Sequence, residues 1–143
     1  DINMAITFTN TIHDKIIDSL ATIIHNEFNI PIKYSEHRGN QSFLLTPESD
    51  AFIEHLNSGI TREYTVNIEY QLKSAGEYSL NNLKQVSNIM ERFKRLVFNN
   101  ISYSNGDVWF DARVTSIEYI QDEDDKTLLK GLAVFNCTNI EII

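Results

Sequence analysis

The carboxyl-terminal third of the chain decides the fold: ISYSNGDVWFDARVTSIEYIQDEDDKTLLKGLAVFNCTNIEII, Ile101–Ile143. Asn105-Gly106 lies between the short segments Ile101–Ser104 and Val108–Phe110, which predicts a tight hairpin. A longer apolar run, Leu128–Ile143, follows the acidic turn Asp122–Asp125. Alternation nearly disappears in LLKGLAVF (128–135), so this strand is predicted to be covered on both faces. Because one small domain has few layers, we expect a neighbouring subunit to supply part of that cover.

The strand predicted over Asp107–Gln121 changes phase in its middle. Its first apolar residues alternate from Val108 to Val114, whereas Ile117 and Tyr119 fall on the other face. Because a slip of one residue moves every side chain across a sheet, a bulge near Thr115–Ser116 explains the pattern. The alternative is that Ile117 and Tyr119 leave the core and face a neighbouring subunit.

Trp109 alternates opposite Val108 and Phe110, which predicts an outward position beside a tight turn. An outward tryptophan is a plausible interface anchor. Packing on a local loop is the alternative.

Upstream of this region the pattern predicts helices and strands in one domain, residues 1–143. Apolar spacing and a Thr11/Asp14 capping box predict a helix from Thr11 that Pro31 ends. Ile30–Glu36 and Ser42–Thr46 are predicted short strands, and Pro47–Ser58 allows one or two helical turns. Strict alternation over Arg62–Lys73 predicts a strand with one wet face.

A second amphipathic helix is predicted over Ser79–Phe98. Arg92, Lys94 and Arg95 lie near its carboxyl end, where cations suit the helix dipole. A solvated face is the first interpretation of these cations, and a docking patch for an acidic partner is the second. The element order predicts an α+β fold: an antiparallel sheet of four or five strands with two amphipathic helices packed on one face.

Charge and composition exclude several classes of protein. The 143 residues carry 12 Lys and Arg against 20 Asp and Glu, a net charge of −8, which argues against a general nucleic-acid binder. The charge is compatible with a surface that DNA passes without sticking, although solubility is the more common explanation. We expect neither a membrane span nor a secretory leader. The single cysteine, Cys137, excludes an internal disulfide and predicts a small buried side chain.

Residues that could carry chemistry are few and scattered. His13, His25, His37 and His55 match no metal-ligand spacing, and the turn Asp122–Asp125 fails the EF-hand pattern at Lys126, Thr127 and Ala133. The glycines are spread singly, which excludes a phosphate-cradling loop. We therefore predict no catalytic residue, no metal and no cofactor. The alternative is a small α+β enzyme or ligand-binding domain that uses the neighbourhood of His37 or His55.

The order of elements resembles that of the tail terminator (tail completion) proteins of tailed bacteriophages. The similar features are an Ile-Pro-Ile-x-Tyr strand (30–34), the strand YTVNIEY (64–70), the turn NGDVW (105–109) and the closing strand LLKGLAVFNC (128–137). The resemblance implies a ring, usually a hexamer, that caps the tail tube and ends its polymerisation. The ring would join the tube to the head-side connector or stopper and let DNA pass through its lumen.

The resemblance also implies a place and partners. The protein would belong to the virion tail or neck, assembled in the host cytoplasm, with no enzymatic activity and no membrane partner. The natural subunit or partner interface is Trp109, Ile117, Tyr119 and Leu132. The expected lumen or partner loop is Asp122, Glu123, Asp124 and Asp125. His37 and Arg38 are expected to form a second partner loop, although His37–Gln41 and Pro47–Ser58 match no segment of the family. A head–tail connector (stopper or adaptor) is the close alternative.

Overall fold

The computed structural model describes residues 6–76 and 79–142, which form an α+β fold as predicted. A π-helical segment, Thr11–Ile17, continues into helix α1, Asp18–Phe28. Strands β1 (Ile32–Lys33), β2 (Gln41–Leu56) and β3 (Gly59–Lys73) follow. Helix α2 (Leu80–Phe98) leads through a short 3-10 turn to β4 (Phe110–Gln121) and β5 (Leu128–Ile142).

The five strands form one mixed sheet in the order β1-β2-β3-β5-β4. Three antiparallel pairings join β2 to β3, β3 to β5 and β5 to β4. The prediction of a wholly antiparallel sheet is wrong at one edge, because β1 pairs with β2 in parallel through Ile32↔Phe43. The described outer edges of the sheet are therefore most of β2 and all of β4.

Both helices pack on the same face of the sheet, as predicted. The ring of Phe28 in α1 lies 5.2 Å from that of Phe43 in β2. On the other half of the sheet, a Cβ added at Gly131 of β5 would lie 2.6 Å from Cγ of Met90 in α2. The alternating residues of β3, from Tyr64 to Leu72, fill the core between these contacts. The opposite face, which we call the open face, carries no helix among the described residues.

Residues 47–58 form a strand, so the expectation of helical turns at Pro47–Ser58 is wrong. Register shifts after Pro47 and after Phe52 mark two bulges in β2. Each bulge absorbs an extra residue, which hides the period-2 alternation that would have indicated a strand. Pro47 is tolerated because its side of the ladder is the free edge.

The first helical region, which comprises the π-helical segment and α1, begins and ends at residues other than those predicted. Asn10, not Thr11, is the N-cap, since its side-chain oxygen accepts a hydrogen bond from His13 N at 3.3 Å. Asn29 ends the helix in the left-handed conformation with φ of 54°, two residues before Pro31. The capping box of α2 at Ser79 and Asn82 is present.

The predicted Asn105-Gly106 turn exists, but its first arm is short. Only the bridge Tyr103↔Trp109 closes it, and Ser104, Asn105 and Gly106 all have positive φ. The bulge predicted near Thr115–Ser116 is confirmed by the register shift between Val114 and Ser116. The prediction that Leu128–Phe135 is covered on both faces is wrong within the protomer, because every second residue lies half-buried on the open face.

Candidate interaction surfaces

Trp109 is buried, so its predicted outward position is wrong. The indole is fully enclosed, stacks on Tyr103 at 4.9 Å and meets Phe135 edge-on at 5.3 Å. Its Nε1 donates to the carbonyl oxygen of Asn100 at 2.8 Å. Trp109 therefore anchors the loop after α2 to the protomer's own core, which is the alternative of packing on a local loop.

Ile117 and Tyr119 return to the helix-covered face because of the bulge in β4. Ile117 pairs with Ala133 and packs against the core, so it does not leave the protomer for a neighbour. Tyr119 pairs with Gly131 but remains 53% exposed beside α2. Desolvation raises the pKa of the Tyr119 hydroxyl, and the nearby Glu91 carboxylate adds to the shift. Tyr119 is exposed, whereas Ile117 is partly buried against the protomer's own core.

Leu132 lies on the open face, opposite Glu69 of β3 and Glu118 of β4. It is half-buried, as is its neighbour on the same face, Val134. Across the ladder from Val134 stands Asn67, whose Oδ1 is buried and has no hydrogen-bond partner among the described residues. The centre of the open face is thus partly apolar and holds an unsatisfied acceptor, features that suit a surface meeting a partner.

His37 is the centre of a polar network on the open face. Its Nδ1 lies 2.7 Å from Ser42 Oγ and its Nε2 lies 2.8 Å from Glu69 Oε1. The ammonium group of Lys130 stands 3.8 Å from the same carboxylate oxygen. The hydrogen bond from His37 and the charge of Lys130 lower the pKa of Glu69, although burial opposes them.

Ser42, His37 and Glu69 have the order of a nucleophile, a base and an orienting carboxylate. A substrate would have to reach Ser42, which is 1% exposed, past a His37 side chain that is 7% exposed. The arrangement therefore acts as a clasp that holds the loop before β2 against β3 and β5. Arg38, in contrast, is exposed and pairs with Glu36 at 2.9 Å, so of the two predicted loop residues Arg38 is the accessible one.

The acidic turn joins β4 to β5, and its own side chains hold its backbone through hydrogen bonds. Asp122 Oδ1 accepts hydrogen bonds from the backbone N–H groups of Asp124 and Asp125, both at 2.9 Å. Asp125 Oδ1 accepts from the hydroxyl and the backbone N–H of Thr127, which lowers the pKa of Asp125. Within residues 6–76 and 79–142 there is no cluster of three metal-ligating side chains.

The acidic turn and the His37 loop meet at the same end of the sheet. The N–H of Ser74, just after β3, donates to the carbonyl oxygen of Thr127 at 2.8 Å. The N–H of Lys73 donates to the carbonyl oxygen of Asn40 at 2.7 Å. The structure therefore brings the two predicted partner loops together on either side of the end of β3.

The sequence did not predict an exposed hairpin at the other end of the sheet, which we call the arm (residues 47–61); its first strand forms the edge of the sheet and its second strand pairs with β5. All of residues 47–58 are exposed, and three apolar side chains there are 41–51% exposed: Phe52, Ile53 and Leu56. At the turn of the arm Gly59 pairs with Leu56 on one side and with Ile142 on the other, and a Cβ at Gly59 would clash with the carbonyl oxygen of Glu141. The sequence Asn57-Ser58-Gly59 after an apolar run was the available indication of this hairpin.

Two concave regions accompany these surfaces. A small apolar cavity of about 210 Å³ lies where the first half of α2 meets β4 and β5, and Tyr119 forms part of its wall. A larger cavity of about 980 Å³ lies near the turn of the arm, between residues 7–15, the 105–110 turn and the end of β5. Neither contains His37 or His55 in its lining.

The remaining predicted chemical groups stay apart from one another. His37 and His55 lie near opposite ends of β2, and the ring of His55 contacts Phe52 at 4.8 Å on the exposed arm. Cys137 is buried as predicted, and burial raises the pKa of its thiol to about 12. A thiol with such a pKa is not a nucleophile at neutral pH.

Among residues 6–76 and 79–142, no helix combines the length and the apolar character that crossing a bilayer requires. Comparison of the chain with protein-family models and with curated protein sequences gave no match.

Proposed function

We propose that this chain is a structural protein that assembles into a ring, with the role that the resemblance to tail terminators implies. The ring caps a phage tail tube, ends its polymerisation and joins it to the head-side connector, and DNA passes through its lumen. The observation that carries the proposal is the arm, which exposes Phe52, Ile53 and Leu56 beyond the protomer's core. Exposed contiguous apolar side chains on a β-edge are typical of a surface that another chain covers.

Three further features support assembly. The outer edges of β2 and β4 leave backbone hydrogen-bonding groups available for a neighbour. The open face holds half-buried Leu132 and the unsatisfied Oδ1 of Asn67. Tyr119 is accessible beside α2. Trp109 is enclosed within the protomer and Ile117 packs partly buried against its core, so neither supports the proposal.

The charge of the molecule is compatible with a channel for DNA. The net charge is −8, and the ordered turn from Asp122 to Asp125 concentrates four carboxylates at one end of the sheet. Like charges on a channel wall and on phosphates keep a duplex from binding as it passes. In the proposed ring this end faces the lumen or the head-side partner.

The proposal is tested by the mass and shape of the purified protein. Sedimentation velocity at micromolar concentration and negative-stain micrographs should show a hollow ring. A variant with Phe52→Ser, Ile53→Thr and Leu56→Ser should remain folded but stay monomeric, because these side chains make few contacts within the protomer. The control is Leu80→Ser, since Leu80 is more exposed than these three side chains but lies at the start of α2.

Wild-type protein that stays monomeric, and is absent from rings in assembled particles, would contradict the proposal. A head–tail connector is the alternative role of the same ring. Adding the protein to purified tail tubes and to portal-bearing heads separates the two, because a terminator should decorate tube ends and a connector should decorate the portal.

A further inference from the structure

We infer that the subunits of this ring join head to tail, with the arm of one protomer docked on the carboxyl-terminal end of α2 in the next copy. The docking surface, which we call the α2 patch, consists of Lys94, Arg95, Phe98 and Ile101. This inference rests on the proposed ring and names the two surfaces that form its repeated contact.

The arm combines apolar and acidic side chains on an exposed edge. The arm that carries Phe52 and Ile53 also carries Glu48 and Glu54. Neither carboxylate has an ion-pair partner in the described part of the chain. Asp50 is neutralised by Arg62, which directly follows the arm. A surface that covers the arm must therefore be apolar and carry positive charge.

The α2 patch has this complementary character. Phe98 is 67% exposed and Ile101 is 43% exposed. The guanidinium of Arg95 lies 5.8 Å from the ring centroid of Phe98 and has no carboxylate partner within residues 6–76 and 79–142. Lys94 forms only an exposed pair with Glu91, one turn away at 2.9 Å, which is a weak interaction.

The two surfaces lie at opposite edges of the same end of the sheet. The arm is the end of β2, the strand at one edge over most of its length. The α2 patch borders β4 at the other edge, because Ala112 N donates to the carbonyl oxygen of Ile101 at 3.0 Å, close to the end of β4 where Phe110 pairs with Thr138. Different surfaces on opposite edges make a heterologous contact, which generates a ring when the rotation closes.

Local charge pairing is needed because the whole molecule is acidic. Copies that each carry a net charge of −8 repel one another at a distance. The contact of Glu48 and Glu54 with Lys94 and Arg95 opposes this repulsion where the surfaces meet. It also fixes which edge meets which, since two arms would bring like charges together.

Two charge-reversed variants test the contact: Glu48→Lys with Glu54→Lys on the arm, and Lys94→Glu with Arg95→Glu on the patch. Each alone should weaken association by about 30-fold or more, as expected for reversing charges at the centre of an interface. Mixed in equal amounts, the two variants should form rings again, because every contact in an alternating ring then joins a basic surface to an acidic one. The quadruple variant should assemble alone for the same reason.

Matched controls carry the same change in net charge on exposed residues elsewhere. They are Asp14→Lys with Asp18→Lys for the arm variant, and Lys84→Glu with Lys126→Glu for the patch variant. Both should assemble like the wild type, while circular dichroism and thermal melting show that all variants fold.

Failures of the two proposals look different in this experiment. If wild-type protein forms rings but the charge-reversed variants do so equally well, the arm-to-patch contact is wrong and the ring stands. If the mixture gives only dimers of defined mass, the contact is self-complementary and the head-to-tail inference is wrong. If wild-type protein forms no ring, the proposed function itself fails.

Discussion

At the residue scale, the His37 clasp is the most specific polar arrangement in the molecule. Both imidazole nitrogens are hydrogen-bonded, one to Ser42 and one to Glu69, in a site where His37 is almost inaccessible. A buried polar group that loses its partner keeps its desolvation cost without compensation. The clasp therefore stabilises the loop before β2 only when all three of its side chains are present.

Replacing His37 by alanine should destabilise the protein by about 1–3 kcal/mol, because Ser42 and Glu69 each lose a partner. Urea unfolding followed by circular dichroism measures the change. His55→Ala is the control, and it should stay within about 0.5 kcal/mol of the wild type because His55 is exposed on the arm. Equal effects of the two substitutions would contradict the role of the clasp.

The lowered pKa of Glu69 makes part of the stability dependent on pH. A carboxylate with a depressed folded pKa contributes stability that is complete above its unfolded value, here 4.5, and is lost as pH falls through the folded pKa. The urea midpoint of the wild type should therefore fall more between about pH 6 and about pH 3 than that of Glu69→Gln, which has no carboxylate to titrate. Parallel pH profiles would show that Glu69 is not responsible.

At the element scale, the packing of α2 on the sheet depends on a glycine in β5. A side chain at Gly131 would overlap Met90 Cγ at 2.6 Å and Sδ at 2.8 Å. The helix can approach the strand this closely because Gly131 has no Cβ. Its position facing Met90 fixes the spacing between α2 and β5.

Gly131→Ala should destabilise the protein by about 1–3 kcal/mol through overpacking against Met90. Met90→Ala should also destabilise it, by about 2–5 kcal/mol, because it leaves a cavity. In the double variant the new methyl group fills part of that cavity, so the combined loss should be smaller than the sum, as a double-mutant cycle would measure. Gly76→Ala is the control, since nothing lies within 4 Å of its added Cβ; strict additivity would refute the contact.

At the scale of the whole molecule, an acidic protomer exposes one basic patch and one acidic arm at opposite edges. Dissolved ions screen both the repulsion between whole protomers and the attraction between exposed ion pairs, over about 10 Å at 0.1 M. The charged side chains of the arm and of the α2 patch are exposed, so salt weakens the attraction between them. The distribution of charge thus governs assembly, whereas the sheet and its core govern the fold.

Ring assembly should weaken at high salt if the arm-to-patch ion pairs dominate it. Raising NaCl from about 50 mM to about 500 mM should raise the protein concentration at the assembly midpoint several-fold. Sedimentation velocity across a concentration series measures that midpoint. The variant Glu48→Gln with Glu54→Gln should respond less to salt, and a wild-type midpoint that falls with salt would contradict the prediction.

The sequence was sufficient for those elements whose pattern is local. Alternation in Arg62–Lys73 and helical spacing in Ser79–Phe98 indicated β3 and α2, and the phase change around Thr115 indicated the bulge in β4. Each is a periodicity that the residues carry themselves. The two bulges in β2 broke the alternation of residues 47–56, and the strand there was not predictable from its pattern.

The candidate sites were less accessible to sequence reasoning, because they depend on which segments meet. Trp109 and Phe110 alternate as expected for a strand, but Trp109 precedes β4 in a loop that folds back on Tyr103 and Phe135. His37 and Glu69 are 32 residues apart, and only the pairing of β2 with β3 brings them together. No local pattern could have indicated either arrangement.

The sequence by itself determined the α+β class, the amphipathic helices and the acidic charge, because composition and periodicity act through nearest neighbours along the chain. Tertiary structure alone decided that Trp109 is enclosed, that Ser42, His37 and Glu69 form a clasp, and that residues 47–58 form an exposed edge of the sheet. Burial and exposure belong to the packed molecule, since a side chain is hidden or free only relative to segments that are distant in the chain.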